Sequence, residues 1–108
     1  MGKTKRKWNR AHYFARKKST PRQVGHPVYV YGISGKYRKY LTFTHTPEVG
    51  KESNYEKLLH NIDPQEEGKG KSYVKKTPDV SIHTTLRSAD KNYRIHDEDR
   101  ETIKRYKK

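Results

Sequence analysis

Six histidines, at positions 12, 26, 45, 60, 83 and 96, are the side chains of this sequence best suited to move protons near neutrality. His26 and His45 fall at the two ends of one segment, HPVYVYGISGKYRKYLTFTHT, residues 26–46. The same segment holds Thr42, Thr44 and Thr46 as hydroxyl donors and Arg38 and Lys39 as cations, with Arg22 shortly before it. Breaking a phosphodiester through its own 2′-hydroxyl needs a base, an acid and a cation or donor for the phosphate. Histidine, threonine and arginine supply those parts. Other chemistries find less support. GISGK lacks the glycine spacing of a nucleotide-binding loop, and the chain has no Gly-x-Ser-x-Gly motif. With no cysteine, and histidines that lack a metal-ligand spacing, neither metal nor cofactor is expected.

The elements that must position these residues follow from periodicity. Val28 and Val30 alternate with Tyr29 and Tyr31, and GISG then supplies glycines for a hairpin turn. A second strand is expected over 37–46, with Tyr37, Lys39, Leu41 and Phe43 on one face and Tyr40, Thr42 and Thr44 on the other. PEVGKESN is a loop, YEKLLHNI leans towards strand, DPQEEGKGK is a polar loop, and SYVKK and VSIHTTL are short strands. Threonine in such strands also satisfies β-propensity, so its presence alone does not mark a site. At the C-terminus, HDEDRETIKRYKK places acids first and bases last, which complements a helix dipole over about 97–106, with Asp97 as its cap.

Composition limits the core. Of 108 residues, 26 are Lys or Arg against 12 Asp or Glu, a net charge of +14, and Leu, Ile, Val and Phe number only 17. Nine tyrosines and Trp8 must therefore supply much of the buried area. Residues 1–24 carry nine Lys or Arg and no acid, which suggests a basic, flexible arm in front of a domain over 25–108. Lys5, Arg6, Lys7, Arg10, Arg16, Lys17, Lys18 and Arg22, with Trp8 among them, are candidate contacts to a nucleic-acid backbone and its bases, joined by Arg38 and Lys39. No apolar run is long enough to span a membrane, so a cytoplasmic protein with no membrane partner is expected.

Three stretches in order, HPVYVYGISGKYRKYLTFTHT, KSYVKKTPDVSIHTTL and YRIHDEDRETIKRY, resemble landmarks of the PemK/MazF-type toxins. The resemblance implies a mainly β fold, a small SH3-like barrel with a short C-terminal helix. It also implies metal-independent cleavage of single-stranded RNA, a dimer and an antitoxin partner. The family uses an arginine and a threonine. By position the arginine falls on His26 and the threonine on Thr44, so His26, Thr44 and the adjacent His45 are the candidate catalytic residues. Three functions stay open on this basis: an RNA-binding barrel, an active endoribonuclease toxin, and a basic structural protein of a ribonucleoprotein or mobile element.

Overall fold

A computed structural model describes residues 12–18, 25–89 and 91–107. Its strands are β1 (Tyr13–Lys17), β2 (Pro27–Ser34), β3 (Tyr37–Thr44), β4 (Tyr55–Lys57), β5 (Tyr73–Lys75), β6 (Asp79–Ile82) and β7 (Leu86–Ser88), followed by helix α1 (Arg100–Tyr106). All pairings are antiparallel, and the sheet runs β4-β5-β3-β2-β1-β7. β6 also pairs with β3, along Tyr37–Tyr40, while β5 takes Phe43 and Thr44 on the same edge. The fold is mainly β with a short C-terminal helix, as the patterning indicates. Strand pairing does not close the sheet among the described residues.

The hairpin forms because residues 34–37 suit a tight reversal. Gly35 sits at φ 57°, a left-handed conformation that costs a glycine little. The buried Arg38 then ties the turn, its guanidinium donating to the carbonyls of Gly35 at 2.8 Å and Tyr37 at 3.0 Å. A register shift between Val30 and Gly32 puts a bulge at Tyr31.

Alternation along β2 and β3 sorts side chains onto two faces. On one, Ala15, Val28, Val30, Tyr40 and Leu86 are buried together with Tyr13 packed against them. On the other, Leu41, Phe43, Leu58, Ile62, Val74 and Ile103 form a second cluster, flanked by Phe14, Tyr29, Tyr31, Tyr93, Ile95 and Tyr106. Each fully buried Leu, Ile, Val or Phe contributes about 1.5–3 kcal/mol. Tyr40 and Tyr106 extend the two clusters while keeping their hydroxyls bonded. Tyr40 shares a hydrogen bond with Ser81 at 2.7 Å, and Tyr106 donates to Glu56.

Several expectations need correction. Residues 13–17, assigned to the arm, are a strand between β2 and β7, with Ala15 fully buried. The dense positive charge hides a period-2 pattern in YFARK. β3 stops at Thr44, where the Thr44 hydroxyl accepts from the Thr46 amide at 3.3 Å and turns the chain. Residues 55–62 are strand only over Tyr55–Lys57. Leu58 and Ile62 still point into the core, but the residues between them form a bend. VSIHTTL breaks into β6, a 3-10 turn at His83–Thr85, and β7. At the C-terminus a 3-10 turn, Asp97–Asp99, precedes α1. Its cap is His96, whose Nδ1 accepts from the Glu98 amide at 3.1 Å; Asp97 instead pairs with Arg100 at 3.0 Å on the surface.

Candidate nucleic-acid interface

The candidate catalytic residues His26, Thr44 and His45 lie at one end of the sheet. The Lys17 amide donates to the His26 carbonyl at 3.0 Å, which extends the β1–β2 ladder by one residue. The last β2–β3 pair is Val28 with Thr42, and the same register continued two residues past the end of the ladder brings His26 level with Thr44. Beyond Thr44 the ladder continues to Tyr73 of β5 and Lys57 of β4. The row therefore reads Lys17, His26, Thr44, Tyr73, Lys57 across five strands or their ends. His26 is exposed, and Lys17, Thr44 and Tyr73 are half-buried. Partial desolvation, reinforced by the Lys17 and Arg16 charges, holds the His26 imidazole below its ordinary value. At neutral pH that ring is an uncharged proton acceptor.

His45 is exposed one residue beyond β3, but it opens on a different hollow. That cavity, of about 310 Å³, is shared with Arg16, Asn61, Asp63, Lys69 and Lys91 among others. Acids already occupy two of its cations: Lys91 lies 3.6 Å from Asp63 and Lys69 3.1 Å from Glu66. Arg16 donates to the Tyr93 hydroxyl at 2.6 Å. His26 and His45 thus share an end of the sheet without sharing a pocket.

The remaining predicted cations separate by environment. Lys18 is exposed beside the row. Lys39 is half-buried and lies 6.0 Å from the Tyr31 ring centre, a cation–π arrangement that leaves its charge near solvent. Arg38 is spent on the hairpin turn and faces no solvent, so a phosphate-binding role does not fit it. Lys5, Arg6, Lys7, Trp8, Arg10 and Arg22 lie outside the described residues.

Sequence reasoning missed a second constellation. His60, at the bend after β4, donates or accepts through both ring nitrogens, Nδ1 to Glu67 at 2.5 Å and Nε2 to Glu98 at 2.7 Å. Its ring stacks on His96 at 3.6 Å between centroids and 14° between planes. Glu98 and Glu67 raise the His60 pKa. The Asn61 amide and then His60 lower Glu67, and His60 lowers Glu98. The buried Asp99 anchors the backbone underneath, accepting from the Leu59 amide at 2.7 Å and the His60 amide at 3.0 Å. His60 lies 38 positions from Glu98 and 39 from Asp99, so no local spacing could have announced those partners. Comparison with protein-family models, with curated proteins and with solved structures finds no match for this chain, so the geometry above is the basis for a functional reading.

Proposed function

We propose that this chain is an RNA-binding domain, a divergent relative of the PemK/MazF-type proteins, that receives the sugar-phosphate backbone on the Lys17–His26–Thr44 row. One observation carries the reading: the exposed His26 pairs with Lys17 at the end of the β1–β2 ladder, and the β2–β3 register continued past Val28–Thr42 brings it level with Thr44. Lysine offers charge to phosphate, and Tyr73, next to Thr44 in the row, offers a ring face to an unpaired base. An SH3-like barrel is the finer form of the fold that suits this reading. β6 and β7 lie on opposite edges of the sheet and are joined by the His83–Thr85 turn alone, a path that wraps the chain over the Val28–Tyr40 face.

Metal-independent cleavage is the second reading, favoured by the neutral state of His26, which suits it to take the 2′-hydroxyl proton. The test uses the full chain and a long single-stranded RNA in EDTA, with affinity measured against salt. Binding should weaken steeply with salt and fall further in Lys17→Ala and His26→Ala at unchanged melting temperature. Products lost in His26→Ala and Thr44→Ala would establish cleavage. Equal affinity of wild type and Lys17→Ala for RNA across the salt range would refute the interface.

A further inference from the structure

The surroundings of His60 fix its charge. Both ring nitrogens meet carboxylate oxygens, Nδ1 at 2.5 Å from Glu67 Oε1 and Nε2 at 2.7 Å from Glu98 Oε1. An ionised carboxylate only accepts, so both contacts are hydrogen bonds only when both nitrogens carry a hydrogen. Glu67 is held in place as one of the acceptors, because its second oxygen accepts from the Asn61 amide at 2.8 Å. The ring stacked on His60 is in the opposite state. His96 Nδ1 accepts from the Glu98 amide at 3.1 Å, so that ring keeps its hydrogen on Nε2 and is uncharged. A cation over a neutral ring face is attracted to it, whereas two imidazoliums with centroids 3.6 Å apart repel. The stack holds a single positive charge.

That charge joins three pieces of chain. His60 sits in the bend after β4, Glu67 in the 3-10 turn Pro64–Lys69, and Glu98 in the turn Asp97–Asp99 that leads into α1. The other charged groups facing this cluster are Arg94, in the same hollow as His60, Glu67 and His96, and Lys71, which acts on Glu67. Asp99 is engaged with the Leu59 and His60 amides, bonds that do not depend on the state of the ring. The two side-chain bonds of His60 do depend on it. A neutral imidazole has one N–H and one lone pair, and here the lone pair must face a carboxylate. Hydrogen bonds to Glu98 and then Glu67 hold the His60 pKa above its ordinary value. A folded value above the unfolded one means that this contribution is complete below ~6.5 and is lost as pH rises through the folded value.

We propose that the His60 imidazolium is a proton-operated latch on α1. With its proton, the ring draws Glu67 and Glu98 together and closes the turn ahead of α1 onto the bend after β4. When the proton leaves for solvent, one of the two carboxylates loses its donor, and the turn and helix open more often. Asp99 supplies the part of the attachment that stays.

The test follows the His60 ring by proton NMR in the full chain across pH. In parallel, amide exchange in α1, corrected for the intrinsic rate at each pH, measures opening of the helix. His60 should titrate above ~6.5. Linkage ties the two readouts: each unit by which the folded midpoint exceeds that of the open form should raise the α1 opening constant tenfold from the low-pH to the high-pH limit. His60→Gln, which keeps a donor but cannot take the charge, should abolish this pH dependence. Glu98→Gln should lower the His60 midpoint and shrink the pH dependence in step. Should His60→Gln fail to fold, Glu98→Gln, which alters an exposed side chain, carries the test. A wild-type His60 midpoint at or below ~6.5 would overturn the latch. So would a raised midpoint with α1 exchange that ignores it, since the charge would then serve a local ion pair alone.

Discussion

Replacing Asp99 separates two meanings of the acidic run at the C-terminus. If that run only complements the helix dipole, Asp99→Asn is mild, because asparagine serves a helix N-terminus about as well as aspartate. The structure gives the carboxylate a different task. It is 2% exposed and accepts through both oxygens, from Leu59 N–H at 2.7 Å and His60 N–H at 3.0 Å. An amide side chain presents one acceptor and one donor, so asparagine can keep only one of these bonds and sets an NH₂ against the other amide. Hydrogen bonds to a charged group are worth about 1.5–3 kcal/mol each. Both amides lie near solvent, so the lower value applies, and Asp99→Ala should cost about 3 kcal/mol. Asp99→Asn should cost nearly as much, ~2–3 kcal/mol, because the retained bond is neutral and the other contact is repulsive. In a domain of this size each kcal/mol moves the melting temperature by at least about 4 °C, so both variants should melt ~8–12 °C lower. Urea unfolding with a shared slope gives the free energies directly. An Asp99→Asn variant within about 0.5 kcal/mol of wild type would refute the two-acceptor argument.

Phe43→Ala empties a fully buried site in the helix-side cluster and should cost about 3–5 kcal/mol by urea unfolding. Gly35→Ala has open space around its new methyl group but keeps φ at 57°, so about 1–2 kcal/mol of backbone strain should be lost from stability with little change in packing. Arg38→Ala should lower the melting temperature and leave the salt slope of RNA binding unchanged, since the guanidinium serves the turn; a lower slope at constant melting temperature would place it in the interface instead. His26 is held below its unfolded value near about 6.5, so the unfolded chain takes up the proton first as pH falls. Its contribution to stability is complete above that value and declines as pH drops towards the folded pKa; wild type should lose more stability than His26→Gln as pH falls below ~6.5, and parallel curves would contradict this.

The hairpin was legible because two physical signals agree there. Val28 to Tyr31 alternate, and glycine stands where the chain must reverse. The alternating faces of β3 follow from the same period, and so does the use of tyrosine to fill a core short of aliphatics. β1 was not legible, because Arg16 and Lys17 mask Ala15 and Phe14, and only pairing with β2 and β7 gives that pattern a sheet to join. The bend after β4 also escaped. Leu58, His60 and Ile62 alternate like a strand, yet the amides of Leu59 and His60 are satisfied by a side chain 40 and 39 positions away, respectively, rather than by a neighbouring strand. The same distance in sequence hid the His60, His96 and Glu98 cluster. At the proposed RNA-facing row, residue types suggested His26 and Thr44, while Lys17 and Tyr73 become neighbours only through the register.

β3 is the partition between the two clusters, sending Tyr40 to one side and Leu41 and Phe43 to the other. Such a septum lets the molecule open in halves. Residues 93–95 and α1 cover only the Phe43 side and are held there by side-chain packing, by the Arg94 amide to Ile62 carbonyl bond at 2.7 Å and by the Asp99 carboxylate on the Leu59 and His60 amides. They can detach as a unit while β1, β2, β3 and β7 keep their ladders. Amide exchange should therefore show two levels of protection, with α1 exchanging through a low-energy opening and the β2–β3 amides only through global unfolding.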